Sequence, residues 1–269
     1  MRLDDIDWNA MWQKARQRKS WKKKDSADWD RRAAGFARRN IDSDYAAAFL
    51  SLLRPEPDWR ILDVGCGPGT LALPLARRVR EVTALDFSAA MLEELGNRAA
   101  ADNIGSIRMV QGSWTDDWQA LAIPPHEVVI SSRSLAVSDL GAALEKLDSW
   151  ATIRVVVADR VGSGPFDPEL FAAVGRPFDP GPDYIYTVNL LYRMGIHPTI
   201  NYIAMNPIRL FSDRNQALAS CRWMVDDLSA EEEKKLSHYL DERLEPDPAG
   251  MWRLTRSTPV KWAVISWEK

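Results

Sequence analysis

A chain of 269 residues with 35 Lys and Arg against 38 Asp and Glu carries a formal net charge of -3, which argues against a polyanion-binding surface spread over the whole molecule. With 46% hydrophobic and 27% charged residues the composition is that of a folded globular protein, well away from disordered and membrane classes. No apolar run is long enough to span a membrane and the first residues are charged, so neither a spanning helix nor a signal peptide is expected and a cytoplasmic protein is.

Taken in chain order, residues 1–58 read as a helical cap or lid, because Trp8 and Trp12 lie four apart, as do Trp29 and Ala33 with Phe36 following. Between Lys14 and Lys24 runs a basic stretch in which Trp21 is interleaved, the local exception to the acidic balance. Pro55 and Pro57 punctuate the chain, and residues 59–269 then read as one α/β domain. Its strands are expected at 61–64, 81–85, 107–111, 127–131, 153–158, 199–205 and 261–267. Helices are expected at 70–80, 88–101, 140–150, 183–194, 216–222 and 229–243, the last opened by Ser229 with Glu232 in a capping box. Strands alternating with helices predict a doubly wound, mostly parallel sheet of seven strands with the last antiparallel. Glycines and prolines between Val161 and Pro182 predict an irregular insertion after the fifth strand, spanning about 160–198 with one short helix at 168–174.

Two cysteines, Cys66 and Cys221, offer no disulfide framework, and His126, His197 and His238 are scattered without CxxC or HExxH spacing, so no metal site is expected. The chemistry concentrates instead where the first strand runs through Asp63-Val64-Gly65-Cys66-Gly67-Pro68-Gly69-Thr70 into a helix. Glycines there permit a tight turn and close approach of a ligand to the backbone, the helix start offers amide donors, and Asp63 adds an acceptor. Asp86 ends the second strand 23 residues later, where a carboxylate can grip a ribose diol. A nicotinamide- or flavin-binding loop needs GxGxxG, whereas this loop is GxGxG with Thr70 in the place of the third glycine.

Residues 61–70, ILDVGCGPGT, resemble motif I of the class I S-adenosylmethionine-dependent methyltransferases. Residues 82–92, VTALDFSAAML, resemble their second motif, and residues 111–116, QGSWTD, resemble the segment that lines the adenine. The resemblance covers about residues 42–160 and is nearest to the group that methylates quinone precursors and other small molecules. It implies a Rossmann-like fold and S-adenosylmethionine as methyl donor, with S-adenosylhomocysteine as product. It implies that Asp63 with the backbone of Gly65 and Gly67 holds the methionine end, that Asp86 holds the ribose, and that Phe87 and Met91 flank the adenine. Cys66, Gly69, Trp114 and Ser131 complete the expected cofactor site. Ser113 departs from the family, which often has Asp there beside the adenine amino group.

Methyl transfer from a sulfonium needs alignment and exclusion of water more than a universal catalytic residue, so none is assigned. Tyr45, Arg133, Tyr184, Tyr186 and Asn189 are the candidates for an acceptor pocket: Arg133 brings a fork for an acidic group, the others hydroxyls, an amide and aromatic area. Each also has a bland reading, Arg133 as a helix cap or partner of Asp139, and the tyrosines as packing on the sheet. His197 is a candidate base, or a structural loop residue; His126 starts a strand at the opposite edge from the expected pocket. A small-molecule acceptor leads. The alternatives are an RNA or protein methyltransferase using the basic N-terminal run, or a non-catalytic assembly factor using the tryptophan-rich ends with Trp252, Trp262 and Trp267.

Overall fold

Ile61, Leu62 and Val64 are apolar at consecutive positions, so a strand built from them is stable only with both faces covered. In the computed structural model, which describes residues 5–20, 30, 44–225 and 227–269, that strand is β1 (Arg60–Val64), buried between parallel neighbours. The others are β2 (Glu81–Asp86), β3 (Ile107–Gln111), β4 (His126–Ser132), β5 (Ala151–Arg160), β6 (Thr199–Ala204) and β10 (Lys261–Glu268). Their order is β3-β2-β1-β4-β5-β10-β6, with β10 antiparallel to both of its neighbours. The expected seven-stranded, doubly wound sheet is therefore present. Strand order reverses at β1 and β4, which opens a crevice at their carboxyl ends.

The two faces of the sheet carry separate cores. On one, α2 (Asp44–Leu53), α3 (Ala72–Ala76) and α4 (Ala89–Ala101) bury Tyr45, Phe49, Leu75 and Leu95 against Ile61, Val128, Ile130, Ala158 and Val264. On the other, α1 (Trp8–Arg18), α5 (Leu140–Trp150) and α7 (Tyr184–Arg193) bury Trp12, Leu144 and Leu191 against Leu62, Val129, Val157 and Ile265. Each such side chain contributes about 1.5–3 kcal/mol on leaving water. The described helices of residues 1–58 thus sit on opposite faces. Helix α1 is also pinned by polar contacts: Asn9 Oδ1 accepts from Leu140 N (3.1 Å) and Gly141 N (3.2 Å) at the start of α5, and Arg16 donates to the carbonyls of Val137 and Ala136.

Two features differ from the sequence expectation. The helix expected over 70–80 is shorter, Ala72–Ala76, because its last turn tightens: Arg78 N donates three residues back to the Leu75 carbonyl before the chain enters β2. The insertion after β5 is irregular with the one short helix expected, and what differs is a small second sheet further along the chain. The insertion's helix α6 (Pro168–Val174) joins β7 (Ile208–Phe211), α8 (Arg214–Arg222), α9 (Ala230–Arg243), β8 (Leu244–Pro246) and β9 (Trp252–Thr255) around a third core of Phe171, Cys221, Leu236, Leu240 and Leu254. The strands of this small sheet, ordered β7-β9-β8, are three or four residues long, too short for an alternating pattern to register. Ser229 and Glu232 form the expected capping box on α9.

Candidate cofactor and active site

At the end of β1 the chain turns through Gly65 (φ +76°), Gly67 (+53°) and Gly69 (+86°), all in the left-handed region. Gly65 is required twice over, since a Cβ there would lie 2.4 Å from Ser134 Cβ. That closeness is used: Ser134 Oγ donates to the Val64 carbonyl at 2.7 Å and bonds Ser131 Oγ at 2.7 Å, tying the loop to the end of β4. Gly69 is a packing glycine, with Leu95 of α4 2.4 Å from its would-be Cβ, whereas the same position over Gly67 meets nothing within 4 Å. The loop amides are internally satisfied. Gly65 N and Cys66 N donate to the Leu85 carbonyl and Gly69 N to that of Cys66. Cys66 is buried against the Gly67 carbonyl, and burial followed by the charges of Asp63 and Asp86 pushes its thiol far up, which makes it inert.

Asp86 closes β2. Its Oδ2 accepts from Gly67 N (2.8 Å) and its Oδ1 from Ser88 N (2.9 Å), leaving further lone pairs of the carboxylate for a ligand diol. Burial raises its pKa against the opposing pull of those amides. Ser88 caps α4 through Met91 N, and its hydroxyl donates to Asp30 Oδ1 of the N-terminal segment.

Across the crevice, β4 ends in Ser131, Ser132 and Arg133. Arg133 is a non-glycine residue at φ +59°, and its guanidinium lies 4.3 Å over the Tyr45 ring and 5.7 Å over the Trp262 ring. Tyr45 is 1% exposed and shares a 2.7 Å hydrogen bond with Ser132 Oγ. Burial, the main cause, raises the Tyr45 pKa and lowers that of Arg133. Asp63 projects on the same face, since it follows Ile61 at the strand period of two. It is 2% exposed, its Oδ2 has no hydrogen-bond partner, and burial together with the charge of Asp86 pushes its pKa up to about 7.

Residues 61–152 match the family model described as methyltransferase domain. An uncharacterized protein of Haemophilus influenzae is 32% identical over 245 residues, covering 89% of this chain and 88% of its own. The chain belongs to the class I S-adenosylmethionine-dependent methyltransferases. A 23S rRNA (uracil(1939)-C(5))-methyltransferase, RlmD of Pseudomonas fluorescens, is 41% identical over 71 residues, which is 26% of this chain and only 16% of that protein. Among solved structures, coclaurine N-methyltransferase bound to N-methylheliamine and S-adenosylhomocysteine shares the fold at a TM-score of 0.52 and 14% identity, over 97% of this chain and 86% of its own.

The methyltransferase uses S-adenosylmethionine, and the described residues fit it. An orphaned buried carboxylate oxygen on Asp63, spare acceptor capacity on Asp86 and open space above Gly67 converge on one crevice. The amides of Gly65 and Gly67 are already held by Leu85 and Asp86, so what the backbone of these residues has left for the methionine end is its carbonyls. The side chains expected around the adenine line up along the ends of β2 and β3. Phe87 is 39% exposed, while Met91 is buried one turn into α4. Asp116, unforeseen, folds back so that its Oδ2 accepts from Ser113 N (2.8 Å), restoring a carboxylate beside the position where the family often has one. Trp114 packs on Trp118, whose indole donates to the Ser113 carbonyl.

The five acceptor candidates do not line one pocket. Tyr45 and Arg133 meet, but Tyr184, Tyr186 and Asn189 belong to α7 on the other face of the sheet. Tyr184 bonds Tyr202 of β6 (2.9 Å), three strand positions from β4 or roughly 14 Å. Tyr186 meets the Trp8 ring edge-on, and the Asn189 amide donates to the Ile185 carbonyl of its own helix. Arg133 does not pair with Asp139, which caps α5 and accepts from Asn9. His197 precedes β6 at the edge opposite the crevice and packs on Tyr192, so it is no base. His126, at that same edge, bonds Thr83 and the Pro124 carbonyl. Trp267 and half-buried Trp262 belong to the sheet cores, while Trp252 is 37% exposed. Trp21, Trp29, Phe36 and Lys22–Lys24 lie outside the described residues. Ser132, Ser134 and Trp262 were missed by sequence reasoning; the hydroxyls of SSRS stood in view, but nothing local ties them to residues 64, 45 or 262.

Proposed function

We propose that this methyltransferase acts on a small-molecule acceptor presented at the carboxyl end of β4, beside Asp63. The cofactor supplies an electrophilic methyl group on a sulfonium; the chain's part is to orient the acceptor and exclude water. The observation that carries this reading is the enclosure of the crevice wall, where Tyr45 is 1% exposed, bonded to Ser132 and met edge-on by Trp262. A wall of that kind suits a compact guest rather than a strand of nucleic acid.

The RNA alternative has less support. Residues 206–258, the larger part of the added body, carry eight Lys and Arg against ten Asp and Glu. Arg214, Arg222, Arg243 and Arg253 there are each paired with a carboxylate. Arg16 in the basic run spends its donors on two carbonyls. Incubating the purified protein with methyl-labelled S-adenosylmethionine and, separately, a low-molecular-mass cell extract or total RNA tests the proposal. Label in the low-molecular-mass products is expected, and label confined to RNA overturns it. No incorporation in either, with S-adenosylhomocysteine still bound, favours the non-catalytic reading.

A further inference from the structure

Asp63 and Arg133 are opposite charges that share one crevice without pairing. Each favours the other's charged form, yet they form neither a hydrogen bond nor an ion pair. Asp63 Oδ2 is buried and unpartnered, and the Arg133 guanidinium contacts only ring faces, with no hydrogen-bond acceptor among the described residues. Other shielded arginines are treated differently: Arg256 donates to the carbonyls of Pro165 and Phe166, and Arg160 to that of Pro182. A guanidinium has five donors, and packing it against rings with none of them answered by the protein is costly. The chain also bears a left-handed backbone at Arg133 to hold it there.

A guest that satisfies both residues at once carries a cation and an anion close together. The α-amino carboxylate of an amino acid is such a group. We propose that Arg133 is the receptor for the carboxylate of the cofactor's methionyl end while Asp63 takes its ammonium, so that the two together recognise a zwitterion. The proposal rests on S-adenosylmethionine being the methyl donor. Tyr45 and Trp262 hold the planar fork in place and keep water from it, which favours a two-point contact with a carboxylate. An acid group on the acceptor has the same anion chemistry, so the test must separate the two sources.

Calorimetry with S-adenosylhomocysteine and with 5′-methylthioadenosine does so, because the second ligand keeps the adenosine and sulfur but lacks the amino-acid head. Replacing Arg133 by Met (Arg133→Met) should weaken S-adenosylhomocysteine about 10- to 100-fold. Binding of 5′-methylthioadenosine should stay within about threefold, which also reports that the site is folded. Arg133→Lys should fall between, keeping the charge and losing the fork. If Arg133→Met binds S-adenosylhomocysteine as the parent does, the anion belongs to the acceptor and the proposal fails. If both ligands weaken equally, Arg133 is structural and the proposal fails again. If the parent chain binds neither ligand, the fault lies in the donor reading beneath it.

Discussion

The two walls of the crevice are built on opposite principles. On the glycine-loop side each amide available from Gly65 to Gly69 already has an acceptor, so that wall works by shape: it is tight at Gly65 and Gly69 and open over Gly67. On the β4 side the shape is set by rings, and the charge of Arg133, like that of Asp63 on neighbouring β1, is left unanswered. The loop is finished before a ligand arrives, whereas the far wall is completed by it. Glycine substitutions on the first wall should therefore act through folding, and loss of a charge on the second through binding.

The largest effect tests the shape of the loop. Gly65→Ala forces a Cβ into Ser134 at a positive φ and should cost about 2–4 kcal/mol of stability. Gly67→Ala adds a Cβ into open space and should cost only the left-handed strain, about 1–2 kcal/mol. Thermal and denaturant unfolding of the pair checks this, and equal losses would refute the claim that Ser134 sets the requirement at Gly65. Next comes Asp86→Ala, which frees the amides of Gly67 and Ser88 and removes the acceptor for the ribose. Calorimetry should show a loss of about 100-fold for S-adenosylhomocysteine and 5′-methylthioadenosine alike, unlike the selective loss expected at Arg133.

The same contrast explains what could be read without coordinates. Asp63, the three glycines and Asp86 announce themselves because their spacing along the chain is itself the geometry: strand, turn, helix, strand. The far wall has no such signal, since Tyr45, Arg133 and Trp262 come from α2, the end of β4 and β10. Tyr184 and Asn189 had the right chemistry, but which face of the sheet α7 covers is decided by packing of Leu190 and Leu191, and that set them apart. The small sheet escaped notice for a related reason, as its strands gain stability only from the core shared with α6, α8 and α9. Local pattern reveals what a segment does alone; meetings between distant segments need the fold.

A smaller effect separates charge from shape at Asp63. Its folded-state pKa, raised by burial and by Asp86 to about 7, means that the native chain holds the proton more tightly than the unfolded one. The stability that Asp63 contributes is therefore fully present below the ordinary carboxylate range and is lost as pH rises from about 4 through 7. Asp63→Asn removes that loss, so it should unfold at a higher temperature than the parent at pH 8 and show little difference at low pH. Binding runs the other way: S-adenosylhomocysteine should tighten as pH rises through about 7, with 5′-methylthioadenosine indifferent. A flat pH profile for the first ligand would dissociate Asp63 from the ammonium.

The smallest expected change concerns Tyr45, where one side chain serves the β4 wall in two ways. Its hydroxyl fixes Ser132 at 2.7 Å and its ring lies under Arg133 at 4.3 Å. Tyr45→Phe deletes only the first contact and should lower stability by about 1 kcal/mol, leaving affinity for S-adenosylhomocysteine nearly unchanged. Tyr45→Leu deletes the ring as well, and the loss of its cation–π contact, about 1–2 kcal/mol for a desolvated pair, should appear in binding as well as in unfolding. If Tyr45→Phe weakens the ligand as much as Tyr45→Leu does, the hydroxyl and not the ring steadies the guanidinium, and the division between a wall of shape and a wall of charge must be redrawn at this residue.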